Sequence, residues 1–377
     1  MQLLYSNILP MGTETGQETI IEAFQSNIAK ADGIEIAVGY VSQASLEELA
    51  ELVSKYDLKH VCLNMGMYFT EGMPESSYNT AMKINADWQT KGIGEIRLVK
   101  ALKYHGKVFC FYKKGQVFAA IMGSANLGVI KLEANNRRQY EVSSLTTDAE
   151  ECTQLENLVL RLKEDVCSAN IRDITGLKLI REVNTSLQGI NLVDELPKTE
   201  IKLYEKYKTS TSFLLELKVP SESEKFMDDN KHYTKSNLNV CYAAPRSARK
   251  PRDWFETQIT VSAKVYKLEG YPEKNKPFFA VTDDGYMFKV HTTSDNNKQF
   301  SAVGDELILG RWIKGRLAAA GLVKPINNTA GDTGLTGMIT KEMFDAYGAR
   351  NILITKTTKT ALDSDGSLLD VWLMDLV

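Results

Sequence analysis

Histidine and cysteine are scarce in this chain, and their spacing excludes several classes of protein. Among 377 residues there are four histidines and five cysteines. An odd number of scattered cysteines, three of them inside apolar runs, indicates reduced core thiols and not a disulfide framework. None has the spacing of a zinc motif. Imidazole chemistry therefore has few candidates, namely His60, His105, His232 and His291.

Long apolar runs and export signals are also missing from the sequence. No run approaches the roughly 20 residues of a membrane span, and residues 1–7 lack the basic region of a signal peptide. We therefore expect neither membrane insertion nor export. A Gly-Lys-Ser/Thr phosphate loop is absent, so any dependence on ATP has to come from a partner.

A strong net charge is absent too, since the formal value is −3. This value argues against a surface coated with phosphate-binding groups, yet basic residues are concentrated locally. Residues 231–252 contain no acid and six basic side chains, which are Lys231, Lys235, Arg246, Arg249, Lys250 and Arg252. A solvated basic loop is the ordinary explanation. A patch of this kind is also the electrostatic footprint that nucleic acid needs.

The pattern of apolar residues predicts two domains of different class. Helical patterns at 19–29, 45–55, 79–90 and 149–167 alternate with strand patterns at 34–41, 60–65, 96–99 and 139–145. This alternation predicts an α/β domain with a mixed sheet at residues 1–183. Residues 184–199 lose periodicity and are predicted to be a linker. Residues 200–377 are predicted to form a β-rich pseudobarrel with one or two helices, near 309–322 and 340–347.

Two polar pairs with matching spacing mark one end of the first domain's sheet. His105 and Lys107 precede one apolar run, and Ser124 and Asn126 follow the next, after a turn at 113–115. Residues two apart on a strand point the same way, so each pair shares one face. A lone histidine near a strand end is more often structural. Two matched pairs in order are rarer, and together they offer a nucleophile or base, a cation and neutral donors for a phosphodiester.

These residues carry a family resemblance. His105-x-Lys107 followed by Gly123-Ser124-x-Asn126 resembles the phospholipase D superfamily, which cuts phosphodiesters without a metal. The family's usual Asp five residues after the lysine is Tyr112 here. The nuclease branch is similar in using a later acid to orient the histidine, and Glu141 suits that role. The resemblance therefore favours a nuclease over a phospholipase.

The second domain resembles the recognition half of NgoFVII-type restriction endonucleases. The similar segments are Ser236-Asn237-Leu238-Asn239, in which Asn237 replaces a glycine, and Arg249-Lys250-Pro251-Arg252-Asp253-Trp254-Phe255-Glu256. Such enzymes join a phospholipase-D-like domain to a pseudobarrel of the plant B-three type. The resemblance implies that two arms hold DNA in the major groove.

Three groups of residues are candidates for contacts with DNA. Arginine commonly reads guanine, whereas lysine and serine more often hold phosphates. The first arm would comprise Arg246, Arg249, Lys250, Arg252 and Asp253, although a structural salt bridge is the favoured role of Asp253. The second arm would comprise His291, Thr293, Ser294, Asn296, Asn297 and Lys298, and phosphate contacts are expected from one or two of Arg311, Lys314 and Arg316.

Phospholipase-D-like chemistry needs two histidine sets, and this chain holds one. A homodimer with one composite site is therefore the simplest prediction. We expect no metal ligands and no cofactor for the chemical step. The resemblance implies a bacterial cytoplasmic enzyme that acts on double-stranded DNA with an ATP-dependent translocase subunit and a companion DNA methyltransferase. A phosphodiesterase of relaxed specificity, acting on RNA or lipid, and a DNA-binding regulator with a silent enzyme domain are the alternatives.

Overall fold

The computed structural model describes residues 1–131, 139–227, 237–245 and 251–377. It divides the chain into two compact units, Met1–Arg181 and Glu182–Val377. Within the described ranges, no helix is long and apolar enough to cross a membrane.

The first unit is built on a mixed sheet of nine strands in the part of the chain that the structure describes. The strands run in the order β10-β6-β4-β3-β7-β8-β9-β1-β2, while β5 and β11 form a separate parallel pair. The bounds are β1 Gln2–Tyr5, β2 Glu18–Thr19, β3 Gly33–Val38, β4 His60–Met65, β5 Met73–Pro74, β6 Gly94–Val99, β7 Val108–Lys113, β8 Gln116–Gly123, β9 Val142–Thr146, β10 Ser168–Asn170 and β11 Leu179–Ile180.

Helices cover both faces of this sheet, which confirms the predicted α/β class. Residues of α1, α2 and α4 share one buried cluster with Ile36 and Phe109, whereas Val159 of α5 packs with Cys110 on the other face. Two of the helices begin at capping boxes formed by Thr19 and Ser42. The bounds are α1 Ile20–Ile28, α2 Gln43–Lys55, α3 Tyr68–Glu71, α4 Glu75–Lys91 and α5 Ala149–Lys163.

A buried carboxylate connects this sheet to α5. Glu35 in β3 is 1% exposed, and its Oε1 atom lies 2.6 Å from His60 Nε2 and 2.5 Å from Lys163 Nζ. Burial raises the pKa of Glu35, but the hydrogen bonds from His60 and Lys163 outweigh burial and hold the pKa below its usual value. The folded protein therefore favours the ionised carboxylate.

The second unit is β-rich, as predicted. Among its described residues, a sheet of eight strands has the order β13-β18-β19-β15-β16-β17-β14, with β12 paired to β16. The bounds of the strands are β12 Val193–Glu195, β13 Lys208–Glu216, β14 Ile259–Thr260, β15 Phe278–Thr282, β16 Tyr286–Thr293, β17 Gln299–Ala302, β18 Asn351–Leu362 and β19 Leu368–Leu376. Its helices are α6 Lys198–Glu205, α7 Ala263–Tyr266, α8 Ile308–Ala319 and α9 Lys341–Tyr347.

The predicted linker at residues 184–199 is instead part of the second unit. Leu187 is 1% exposed in the core of that unit, and Asn184 Nδ2 donates to the Arg311 carbonyl oxygen at 3.0 Å. Strand β12 adds Val193–Glu195 to the sheet. Short elements held by contacts far away in sequence have no periodicity of their own, which explains the error.

Replacing Glu35 tests the buried ion pair. We expect Glu35→Gln to lower the free energy of unfolding by about 2 kcal/mol at neutral pH, because Lys163 loses a charged partner. The stabilisation is present above the pKa of the unfolded carboxyl and is lost as pH falls through the lowered pKa of folded Glu35. The difference between wild type and variant should therefore shrink in acid, as measured by denaturant unfolding at several pH values.

The matched control is Glu51→Gln, which changes an exposed carboxylate on α2. It should leave stability nearly unchanged at every pH. Equal stability of wild type and Glu35→Gln at neutral pH would contradict this account of the ion pair.

Candidate active site and DNA interface

Four neighbouring strands of the first unit reach the same edge of the sheet. The register pairs Ala37 with Val108, Val108 with Met122, and Gly123 with Ser143. The edge therefore holds the end of β3, the start of β7, the end of β8 and the start of β9. The predicted catalytic residues lie in the segments that leave these strands, so the hairpin geometry expected from the sequence is present.

His105 and Lys107 form the centre of the edge. Lys107 Nζ lies 3.0 Å from His105 Nδ1, 3.2 Å from Nε2 and 2.6 Å from the His105 carbonyl oxygen. The lysine side chain is 5% exposed, whereas His105 is exposed. The imidazole is thus accessible to a substrate, and the buried ammonium lies in contact with it.

Burial of Lys107 has an electrostatic consequence. Burial lowers the pKa of the ammonium, and the charge of Glu141 opposes this shift without cancelling it. A phosphate group close to Lys107 would supply negative charge and so favour the charged ammonium.

Asn126 lies beside His105, although the two are 21 positions apart in sequence. The backbone N–H of Tyr40 donates to Asn126 Oδ1 at 3.0 Å. Gly39 lies between the two side chains: a Cβ added there would be 3.2 Å from His105 Cδ2 and 3.5 Å from Asn126 Oδ1. The structure therefore brings the two halves of the motif together around Gly39.

Ser124 and Glu141 form a second pair at this edge. The Ser124 hydroxyl donates to Glu141 Oε2, and the N–H of Val142 donates to Ser124 Oγ at 3.1 Å. The backbone of Glu141 is anchored by Ser6, whose Oγ accepts the Glu141 N–H at 2.9 Å. The carboxylate is thus bonded to Ser124 in this structure, and its predicted bond to the imidazole stays a prediction.

Tyr112, which replaces the family's Asp, lies away from this edge. It is 6% exposed and packs in the cluster beneath α5, with its ring 5.6 Å from that of His60.

Over the described residues, no group of three or more His, Cys, Asp or Glu side chains is arranged to hold a metal ion. The expectation that the chemical step needs no metal stays a prediction.

Phosphate contacts are predicted from one or two of three cations on α8, and two of the three, Lys314 and Arg316, are buried. Lys314 is fully buried, and its Nζ donates to the carbonyl oxygens of Trp254 and of Glu256, the latter at 3.3 Å. Arg316 is 5% exposed and forms a bidentate pair with Asp283. Both cations bond groups inside the unit, so neither is accessible to DNA.

Arg311 lies on the same helix and is only half-buried. Its guanidinium lies 4.8 Å from the centre of the Phe255 ring, and one of its nitrogens donates to the Ser186 carbonyl oxygen at 3.4 Å. Its contact with DNA stays a prediction.

The described part of the first predicted arm has structural roles. Arg252 forms an ion pair with Glu256 and donates to the Ala244 carbonyl oxygen at 3.0 Å. Asp253 accepts the N–H of Phe255 at 2.8 Å. The predicted salt bridge of Glu256 is thus present, and the one predicted for Asp253 stays a prediction. Arg246, Arg249 and Lys250 lie outside the described residues.

The second predicted arm is the turn between β16 and β17. Ser294, Asn296 and Asn297 have φ values of 64°, 59° and 56°, which place three non-glycine residues in the left-handed region. The flanking His291 and Thr293 are partly buried, whereas Lys298 is exposed. Partial burial lowers the pKa of His291. The turn thus presents short polar side chains on an unusual backbone.

Asn237 occupies the position of the motif glycine in a glycine-like conformation. Its φ is 88°, and its backbone pairs with Gln258 in an isolated bridge. Asparagine tolerates this region better than most residues. The backbone therefore keeps a glycine-like turn despite the substitution.

The residues that the sequence did not single out are Tyr40 and Gly39. Both follow β3, and neither belongs to a spacing motif. They are defined only by the three-dimensional approach of the β3, β7 and β8 ends. No signal in one sequence could have found them.

The two units together define a class of protein. One unit presents histidine, lysine and asparagine at the edge of a mixed sheet, and the other is β-rich, which fits a phospholipase-D-like domain followed by a pseudobarrel. The model of the NgoFVII restriction endonuclease N-terminal PLD domain matches residues 18–176, and that of the NgoFVII C-terminal B3-like DNA-binding domain matches residues 203–347. The chain belongs to the NgoFVII restriction endonuclease family. No curated protein was found to match it.

Arg316→Ala separates a structural role from a DNA contact. We expect the free energy of unfolding to fall by about 3 kcal/mol, because Asp283 is left without its cation. Unfolding by denaturant measures this loss. Arg350→Ala, which removes an exposed arginine paired with Asp345, should change stability far less. Unchanged stability of Arg316→Ala, with a shallower dependence of DNA binding on salt, would restore the phosphate contact.

Proposed function

We propose that this protein is a sequence-specific type II restriction endonuclease that cuts double-stranded DNA through a phosphohistidine intermediate, without a metal in the chemical step. The observation that carries the proposal is the convergence of His105, Lys107 and Asn126 at one exposed edge. Membership of the restriction endonuclease family supports the same reaction and the same substrate class.

The first chemical step is attack on phosphorus. A ring nitrogen of His105 in one protomer forms the N–P bond, and the P–O3′ bond breaks. The partner's His105 donates its proton to the departing O3′ atom, giving a free 3′ hydroxyl. The DNA strand is then held by its 5′ phosphate on the enzyme.

The second step reverses the proton movement. The partner's His105, now neutral, takes a proton from water while the water oxygen attacks phosphorus. The N–P bond breaks, and the product is a 5′ phosphate. The same imidazole therefore acts first as an acid and then as a base.

Charge accumulates on the non-bridging oxygens during both steps. Lys107 provides a cation, and the Nδ2 group of Asn126 is the amide end that can donate, because Oδ1 accepts the Tyr40 N–H. Donors placed where charge develops typically contribute 10²–10³-fold to the rate. Ser124 contributes a hydroxyl at the same edge, and Glu141 accepts from the imidazole when the complex forms.

Among the residues that the structure describes, one protomer supplies a single imidazole, that of His105, at this edge. The two-step exchange uses two, so a homodimer with one composite site completes it. One site for two strands means that the strands are cut in sequence.

Recognition resides in the second unit. The turn around residues 294–297, with His291, Thr293 and Lys298 at its flanks, forms one arm, and residues 246–250 belong to the other. In the same proposal the enzyme works in the bacterial cytoplasm with a separate ATP-dependent translocase subunit and a companion DNA methyltransferase.

His105→Ala tests the catalytic assignment. Wild-type protein incubated with plasmid and a chelator should give discrete fragments, and rapid denaturation at alkaline pH should trap protein joined to DNA, because the N–P bond of a phosphohistidine is stable in base and labile in acid. The variant should lose cleavage by at least about 10⁴-fold while its specific DNA binding is unchanged, because His105 is exposed in the first unit and recognition is assigned to the second unit. Loss of binding together with cleavage would instead assign His105 a structural role. Cleavage indifferent to DNA sequence would favour a phosphodiesterase of relaxed specificity.

Mixed dimers test the composite site. When wild type and His105→Ala are coexpressed in equal amounts, about one quarter of random dimers carry two histidines. Activity per wild-type subunit should therefore fall to about half that of wild type alone. Coexpression with a tagged wild-type chain is the control and should cause no loss. Activity proportional to the number of wild-type subunits would show that protomers act singly.

A further inference from the structure

Tyr40, the second residue after β3, contacts both halves of the catalytic motif. Its backbone N–H donates to Asn126 Oδ1 at 3.0 Å. Its ring lies edge-to-face with the His105 imidazole, at 5.9 Å between centres and 76° between planes. One residue thus contacts the amide that is to hold phosphate oxygens and the imidazole that is to attack phosphorus.

The far end of the same side chain is anchored. The Tyr40 hydroxyl donates to Glu71 Oε2 at 2.5 Å, and Glu71 is the last residue of α3. Hydrogen bonding to Glu71 raises the pKa of the Tyr40 phenol, so the phenol stays a donor across the neutral range. Glu71 is exposed and lies in a different element from the catalytic residues.

A second tyrosine holds the ring from its side. The Tyr68 ring is 5.6 Å from that of Tyr40 and 81° inclined to it. The Tyr68 hydroxyl accepts the Val41 N–H at 2.8 Å and donates to the Val41 carbonyl oxygen at 2.5 Å. Tyr68 therefore clamps the backbone just after Tyr40, which limits movement of the whole segment.

We infer that Tyr40 is a positioning residue for the nuclease reaction. Tyr40, anchored by Glu71, sets the orientation of the His105 imidazole and of the Asn126 amide. This inference deepens the proposed function and rests on it. Tyr40 itself exchanges no proton with the substrate. It acts by keeping the attacking nitrogen of His105 and the amide of Asn126 at a fixed distance and orientation relative to each other.

The orientation of Asn126 follows from simple donor logic. A backbone N–H can only donate, so the amide oxygen must face Tyr40 and the NH₂ group must face away. This contact comes from the main chain, so it is available to every residue at this position except proline. The imidazole contact and the Glu71 bond belong to the side chain, so substitutions of Tyr40 test them separately from the Asn126 contact.

Misplacement of a reacting group by about 1 Å can cost on the order of 10² in rate. Tyr40→Ala removes the ring and its anchor, so we expect kcat to fall about 10²-fold while KM changes less than about threefold. Tyr40→Phe retains the ring contact and should recover most of the activity, remaining about threefold to tenfold below wild type. Glu71→Gln keeps a neutral acceptor for the phenol and should lie between Tyr40→Phe and wild type.

The experiment combines single-turnover cleavage, at several pH values, with NMR titration of the His105 ring in the full-length protein. The imidazole resonance is assigned with His105→Asn. In Tyr40→Ala and Tyr40→Phe, the pH at which the cleavage rate changes and the midpoint of the His105 NMR titration should shift in the same direction. Tyr56→Ala is the matched control, because Tyr56 is a half-buried tyrosine on the same core at the end of α2. It should change neither.

Wild-type kcat and an unchanged His105 titration in both Tyr40→Phe and Glu71→Gln would overturn the inference, as would a fall in kcat of equal size in Tyr56→Ala. These two conservative variants decide the question if Tyr40→Ala does not fold. A wild-type protein without cleavage would defeat the proposed function, whereas the NMR titration would still report whether Tyr40 sets the state of His105.

Discussion

The antiparallel pairing of β7 with β8 is the constraint on which the candidate active site depends. Val108 faces Met122, so the residues before one strand and after the other emerge side by side. Pairing of β3 with β7 then adds the segment that contains Gly39 and Tyr40. A slip of one residue in either register would turn half of these side chains to the other face. The catalytic constellation is therefore a property of strand register as much as of the residues themselves.

Much of the first unit could be predicted from local patterns, because its candidate catalytic residues follow the two-residue repeat of a β-strand. His105 with Lys107, and Ser124 with Asn126, are spaced for one face of a strand, and the structure brings the pairs together. Helices with capping boxes begin close to the predicted residues. What no pattern could show is the approach of Tyr40, since the residues that it contacts lie in segments distant in sequence.

The second unit was harder to predict, for two physical reasons. The alternating apolar residues at 255–268 are typical of one long strand, but the structure has the two-residue strand Ile259–Thr260 and the short helix Ala263–Tyr266 there. Basic residues on α8 read as phosphate ligands, but Lys314 and Arg316 satisfy buried carbonyl and carboxylate groups. Charged residues are mostly exposed, so the sequence favours a surface position for every lysine and arginine and does not mark the few that are buried with partners.

Burial of Lys107 beneath an exposed imidazole has one further consequence. An ammonium already removed from bulk water is screened little by dissolved salt, so its attraction for a phosphate changes little with ionic strength. Exposed cations such as Lys298 are screened far more strongly, so any attraction that they have for the duplex weakens as salt is added. Ionic strength should consequently govern how tightly the protein holds DNA while leaving the bond-breaking event almost indifferent to it.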